Sequence, residues 1–255
     1  MATGDLRIET RQGVLYVLID RAEKRNALSR SVLDQLGAAF SAAADDDGLS
    51  AAVLRGAGDK SFAAGGDLRD LASVRTLAEA EEMSLQAKAA LEAIRRFPVP
   101  VIAALNGDAL GGGAELAAAC DFRVFAPHAR IGFIQGRLNI TSAWGGGIDL
   151  MRLVGPARAL RMLSRTELLT AGDAMAIGLA DAVGDEDLDG ALSAFLKPML
   201  KQSPHVMRAF KALNLAQRNG ASRQELLDLE TSNFAAAWVH DDHWDAAEGI
   251  LKKED

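Results

Sequence analysis

The chain has 255 residues, 49% of them hydrophobic, enough to bury a sizeable core and too many for a disordered chain. Against 28 Lys and Arg stand 35 Asp and Glu, a net charge of -7, so a broad basic face for nucleic acid is not expected. The single cysteine, Cys120, excludes an intrachain disulfide framework and a cysteine-held metal cluster, and fits a reducing compartment.

The amino terminus lacks the basic-then-apolar order of a signal peptide, and no apolar run reaches the ~18 residues of a membrane span, so a cytoplasmic location without a membrane partner is expected. "LRIET" and "VLYVLID" are β-rich runs split by the turn signal "RQG", which predicts a hairpin. From Leu28 to Ala44 the apolar residues Leu28, Val32, Leu33, Leu36 and Phe40 keep helical spacing, with Ser29 as a cap. "AAVLRG" and "VPVIAALNG" read as buried strands ending in glycine, and helix-like segments fill the space between them. Strand, loop and helix recur without an internal repeat, an α/β layout. After Asp189 only helical patterns remain. This divides the chain into an α/β core, 1–189, and a helical carboxyl-terminal region, 190–255.

"NGDALGGGAELAAACD" sets three glycines between a strand and a helix, so backbone N–H groups near Gly112 are expected to stand unpaired at a helix start, a receptor for negative charge. A phosphate loop requires Lys-Ser/Thr after its last glycine, whereas Ala114 and Glu115 follow Gly113. The spacing is not that of a dinucleotide turn either, and a carboxylate beside it would repel a pyrophosphate. A tight turn for close helix–sheet packing is the plain structural alternative. A second small-residue stretch, "KSFAAGGDL", follows another strand. Two such backbones facing one guest would suit a thioester oxygen that gains charge, where one donor is worth about 3 to 4 kcal/mol of barrier.

Four blocks, "DRAEKRNALS", "KSFAAGGDL", "NGDALGGGAELAAACDFRV" and "LLTAGDAMAIGLADAV", together resemble the crotonase (enoyl-CoA hydratase/isomerase) superfamily over nearly the whole chain. The resemblance implies a β-β-α superhelix with a helical carboxyl-terminal trimerisation region. It implies an acyl-CoA substrate, coenzyme A entering as part of that substrate and not as a cofactor, and a homotrimer or homohexamer. Residue by residue, it implies an oxyanion hole of the Gly66 and Gly112 N–H groups, and coenzyme A contacts at Lys24, Ala27, Ala64, Asp67 and Leu68. Arg69 is either a phosphate neighbour or a solvated arginine. The acyl group would depend on side chains from Leu71 to Leu91 and beyond.

Hydratases of the family use two glutamates, and Glu115 falls on the first; its plain alternative is a surface glutamate favoured by the dipole of its own helix. The second position holds Gln135, which neither takes nor gives a proton in this range. Asn139 and Ser142 replace a common glycine and a common proline. With Glu115 and Gln135 as candidate catalytic residues, three outcomes stay open: hydration or isomerisation, decarboxylation of a malonyl-type thioester, and a non-catalytic acyl-CoA-binding scaffold. Trp144 in "SAWGGG" is similar to a tryptophan of decarboxylating members, or it is a core residue. "HDDHWD", with His240 and His243, reads as a solvated helix start, and neither it nor His128 nor His205 predicts a metal. Lys252 and Lys253 are candidate phosphate neighbours.

Overall fold

The computed structural model describes residues 2–251. After β1 (Ala2–Thr3), β2 (Leu6–Arg11) and β3 (Val14–Ile19) form the expected hairpin, with Leu6 opposite Ile19 and Arg11 opposite Val14. Gln12 and Gly13 both take positive φ, 49° and 72°, as a two-residue turn that follows the strand twist requires. The helix α1 (Arg30–Ala43) starts from Ser29, whose Oγ accepts from Val32 N–H at 3.3 Å, and buries Val32, Leu33, Leu36 and Phe40. Leu28 is the one correction to this stretch. It precedes the cap and forms a bridge to Gly66, so its burial comes from the strand-like side and not from the helix face.

Beyond α1 the chain repeats one unit. β4 (Ala51–Gly56) and β5 (Ser61–Ala63) are followed by α2 (Leu77–Arg95), β6 (Val101–Leu105) and β7 (Asp108–Leu110) by α3 (Gly112–Ala119), and β8 (Phe122–Phe125) and β9 (Arg130–Gly132) by α4 (Gly146–Val154). Within each unit the first strand joins one sheet and the second another. Their orders are β1-β2-β3-β4-β6-β8-β11 and β10-β9-β7-β5, where β10 is Leu169–Thr170 and β11 is Ala182–Val183. Strands β3, β4, β6 and β8 run parallel, and so do β5, β7 and β9. This is the expected β-β-α superhelix. Its core strands are buried along their length, as in "VIAAL" of β6, because helices or the second sheet cover both faces.

The remaining helices are α5 (Pro156–Arg165), α6 (Ala171–Ala176), α7 (Leu188–Met199), α8 (Pro204–Arg218), α9 (Arg223–Trp238) and α10 (Asp241–Leu251). The division placed at residue 190 falls inside α7, which buries Leu188, Leu192 and Leu196. Helix α8 is tied down by charge. Buried Lys211 bonds Asp121, and Arg218 reaches Asp121 Oδ1 at 3.4 Å and Asp149 Oδ1 at 3.1 Å. Asp149 in turn holds Arg95 of α2 at 2.8 Å. Arg123, almost fully buried, is satisfied by the Cys120, Asp121 and Leu179 carbonyls and by Asp181 at 2.9 Å, as a buried cation must be. No helix among the described residues is long and apolar enough to cross a membrane.

Candidate active site

Three loops and one helix start meet where the second strands end. Backbone bonds stitch the two stretches that carry Lys24 to Leu28 and Ala64 to Leu68: Ala64 N–H donates to Arg25 carbonyl at 3.1 Å, Leu28 N–H to Gly65 carbonyl at 2.8 Å, and Asp67 N–H to Leu28 carbonyl at 3.0 Å. Two buried amides fix these loops further. Asn26 donates to the Ala57 and Ser61 carbonyls at 3.0 and 2.6 Å, and Asn106 to the Gly58 and Ser61 carbonyls at 2.9 and 3.1 Å while accepting from Gly56 N–H at 3.0 Å. So the expected contact residues Lys24, Ala27, Ala64, Asp67 and Leu68 do come together. Lys24 and Leu68 are exposed.

Asp67 is committed elsewhere. Burial opposes its charge, but a 3.1 Å bond from buried Arg21 and backbone N–H bonds from Asp70 and Arg69 outweigh that and hold its carboxyl below the usual range. Its side chain therefore braces the loop. Neither Arg21 nor the two asparagines stood out in the sequence, because a lone polar residue in a loop motif carries no periodicity to betray its burial.

Gly112 begins α3, and neither its N–H nor that of Gly66 has a hydrogen-bond acceptor among the described residues. The two segments adjoin: a β-carbon placed on Gly65 would be 3.6 Å from Gly112 N. Trp144, buried, covers both glycines. A β-carbon on Gly66 would stand 3.7 Å from its indole, and one on Gly112 would have three ring atoms within 3.0 Å. At Gly112 a side chain has no room against the indole, whereas at Gly66 the closest atom would be Leu71 Cδ1, at 3.0 Å.

Glu115, one turn into α3, is 2% exposed, which rules out the surface alternative. Its carboxylate faces the start of α4 instead of its own helix. Oε2 accepts from Trp144 N–H and Gly146 N–H, each at 2.9 Å; Oε1 accepts from Ala143 N–H at 3.3 Å and from Gln135 Nε2 at 2.9 Å. Burial pushes the Glu115 carboxyl above its usual range, against four hydrogen bonds that favour the anion. Gln135 is buried as well, and its Oε1 has no partner among the described residues. Asn139 sits at φ 56°, the left-handed region that asparagine tolerates best after glycine.

The histidines do not gather here. His128 Nε2 bonds the Asp59 carbonyl at 2.8 Å, and His243 packs on Trp238. His205 stacks on His240, and their ring nitrogens together with an Asp242 oxygen lie within 4.8 Å of one another at the corner before α10, a grouping across α8 and α10 that sequence adjacency does not disclose. Asp242 N–H already donates to His240 Nδ1 at 3.2 Å. A cavity of about 480 Å³ lined by Cys120, Met199, Met207 and Lys211 opens at the far end of α3, away from Gly112. Lys252 and Lys253 lie outside the described residues.

The paired β-β-α units, the bare glycine segments and the glutamate three residues into the helix define a protein of the crotonase fold. The family model described as enoyl-CoA hydratase/isomerase matches residues 9–254, and the chain belongs to that family. It is 31% identical to the crotonyl-CoA hydratase of Syntrophomonas wolfei, over 99% of this chain and 97% of that one. It is 35% identical to the 2,3-dehydroadipyl-CoA hydratase of Escherichia coli, over 98% and 96%. Among solved structures it superposes on an enoyl-CoA hydratase from Bacillus anthracis with a TM-score of 0.90 at 26% identity, covering 98% of this chain and 97% of that one. Pseudomonas aeruginosa DspI gives a TM-score of 0.90 at 30% identity, covering 98% and 95%.

Proposed function

We propose that this protein binds an enoyl-CoA thioester with the carbonyl oxygen between the Gly66 and Gly112 N–H groups, and that Glu115 carries the proton in its hydration or isomerisation. The observation that bears most weight is the pair of unsatisfied N–H groups on adjoining segments, with a buried carboxyl one helical turn beyond them. As water adds at Cβ, or as a proton leaves the carbon chain, charge flows onto the thioester oxygen. Fixed amides meet that charge without reorganising. Glu115 takes the proton from water or carbon and returns it to the enolate, so one carboxyl serves both directions. Coenzyme A would run along the stitched loops, past Lys24, Ala27, Ala64 and Leu68, with Asp67 acting through Arg21 as their brace.

Gln135 supports a second reading. With an amide where a second acid would stand, loss of carbon dioxide from a malonyl-type thioester needs only the oxyanion pair to stabilise the enolate left behind. Incubation with a panel of acyl-CoA thioesters, followed by product masses, separates the two: a gain of water or no mass change against a loss of carbon dioxide. Binding of no acyl-CoA by calorimetry would defeat both.

Helix α9 buries none of its residues, and Phe234, Trp238 and Val239 at its end and Trp244 on α10 are exposed. This favours a homotrimer or homohexamer built on the helical region. Light scattering that returned a monomer at micromolar concentration would contradict it.

A further inference from the structure

An ionised carboxylate offers about four in-plane acceptor positions, and all four on Glu115 are taken by donors. Three are backbone N–H groups, which cannot turn round. A proton arriving on Oε2 would meet Trp144 or Gly146 N–H head-on, and one arriving on Oε1 has Ala143 N–H on one side. The remaining line, from Oε1 to the Gln135 side chain, is the one place where the partner can change sign, because an amide presents a donor at one end and an acceptor at the other. Gln135 also carries the complementary defect: its Oε1 is buried with no hydrogen-bond partner among the described residues. As the two amide heteroatoms share one carbon, that unpaired acceptor sits within a few ångströms of the Glu115 carboxylate.

We propose that Glu115 and Gln135 form a two-state pair in which proton uptake by Glu115 turns the Gln135 amide over, by about 180°, exchanging the free Oε1 acceptor for a free Nε2 donor. In the anionic state Nε2 holds the carboxylate and Oε1 is free. In the protonated state the Glu115 hydroxyl donates to Gln135 Oε1 and still accepts from Ala143 N–H, while Oε2 keeps Trp144 and Gly146; every Glu115 position is again satisfied. Between the states one proton is gained and the amide turns, and the proton comes from the bound molecule or from water.

Arg95, Asp149, Arg137 and Asp67 are paired away from this line, and Lys88 of α2 and Arg152 of α4 line a separate cleft. On α2 and α4, Arg95 bonds Asp149 and the Trp144 carbonyl. Arg137, beside Gln135, bonds the Thr166 carbonyl at 2.8 Å, and Asp67 bonds Arg21. Nothing else on α3 titrates, since its other residues are glycine, alanine and leucine.

The consequence is selection by hydrogen-bond sign, which rests on the acyl-CoA reading. An acyl group that offers a hydroxyl at this point pairs with the anionic state. One that offers only an oxygen acceptor pairs with the protonated state and must bring a proton with it. The pair itself needs no ligand to be tested.

In the free protein, nitrogen-15 labelling of glutamine side chains should show the Gln135 amide resonance moving with pH in step with the Glu115 carboxyl, and not moving in Glu115→Gln. A Gln135 amide unmoved through the Glu115 titration overturns the proposal. For the ligand arm, amide-linked analogues of 3-hydroxybutyryl-CoA and 3-methoxybutyryl-CoA, with nitrogen for sulfur, are titrated calorimetrically in buffers of differing ionisation enthalpy. The methoxy analogue should bind with uptake of up to about one proton, weakening about tenfold per pH unit above the free-state pKa, while the hydroxy analogue takes up none. Gln135→Met, similar in size and without the amide, should erase the difference. Equal proton counts for the two analogues, or a difference that survives in Gln135→Met, refutes the selection. If neither analogue binds, the coenzyme A reading has failed and the amide titration decides the pair alone.

Discussion

Trp144 lies across Gly112 so closely that a β-carbon on the glycine would have Cζ3, Cη2 and Cε3 of the indole within 3.0 Å. The glycine is therefore required by the tryptophan as much as by any ligand. Gly112→Ala should lower turnover by about 5- to 150-fold, since overpacking of this kind costs about 1 to 3 kcal/mol and is concentrated at the oxyanion donor. Adding Trp144→Ala should return part of that loss while widening the acyl site. Measuring kcat/KM for the two single variants and the double variant closes the cycle. Simple additivity would mean that the ring and the glycine do not compete for space.

Replacing Gln135 by glutamate puts a second carboxyl 2.9 Å from Glu115 Oε1, taking the present Nε2 position. Two carboxylates at that distance cannot both ionise freely, so the pair should hold one shared proton and titrate in two macroscopic steps. The variant then has both an acid and a base near neutral pH. Hydration of crotonyl-CoA should rise by about 10² to 10³-fold, with a bell-shaped pH profile absent from the parent. Asn139 and Ser142 blunt the size of the gain more than its direction. A parent already as fast as two-glutamate hydratases, with no change in Gln135→Glu, would show that another residue supplies the second proton path.

Much of this site is legible in the sequence because glycine runs are visible in one dimension. The hairpin, α1, β4, β6 and the start of α3 all follow from periodicity or from a glycine after an apolar run. Three-residue strands such as β5, β7 and β9 did not, as they are too short to show alternation, and it is these that aim Ala64 to Gly66 and Gly112 at one point. The orientation of Glu115 was also hidden. Its placement on α3 is plain from spacing, but that its carboxylate caps the start of α4 depends on Gly146, where a β-carbon would collide with Glu115 Cα and Cβ. Contacts between the starts of two helices separated by a loop leave no local pattern. The same holds for Lys211 and Arg218, ordinary surface cations by composition, which the fold buries against Asp121 and Asp149.

Asn106 carries more of the loop geometry than its size suggests. Truncation to alanine would leave Gly56 N–H without an acceptor and deprive the Gly58 and Ser61 carbonyls of a donor, in a position 2% exposed. A buried group left unsatisfied costs about 1 to 3 kcal/mol. Gly58 is exposed and its carbonyl can turn to water, and the Ser61 carbonyl keeps Asn26, so the Gly56 N–H sets an expected loss of about 1 to 3 kcal/mol. Thermal unfolding should fall by roughly 2 to 12 °C for a chain of this length. Activity should fall beyond the loss of folded protein, because β5 leads directly into Gly66. A variant within 1 °C of the parent would show that solvent replaces the amide.

Cys120, 2% exposed, borders the cavity at the far end of α3, and its Sγ donates to the Leu116 carbonyl at 3.5 Å. Burial, with the Asp121 charge adding to it, pushes the thiol from 9.0 up to about 12. Between those values the unfolded chain releases a proton that the native state retains, so the thiol makes stability fall as pH rises above 9, by up to about 1.4 kcal/mol per pH unit. Below pH 9 both states hold the proton and the residue contributes no slope. Cys120→Ala removes that alkaline loss. It should be less stable than the parent near neutrality, where its small cavity is felt, yet it should lose about 2 kcal/mol less between pH 8 and 10.5 in urea denaturation. The native thiol should also resist iodoacetamide at pH 8 and react only on unfolding. Rapid alkylation of the folded protein, or equal alkaline slopes for parent and variant, would show that the thiol ionises with the fold intact.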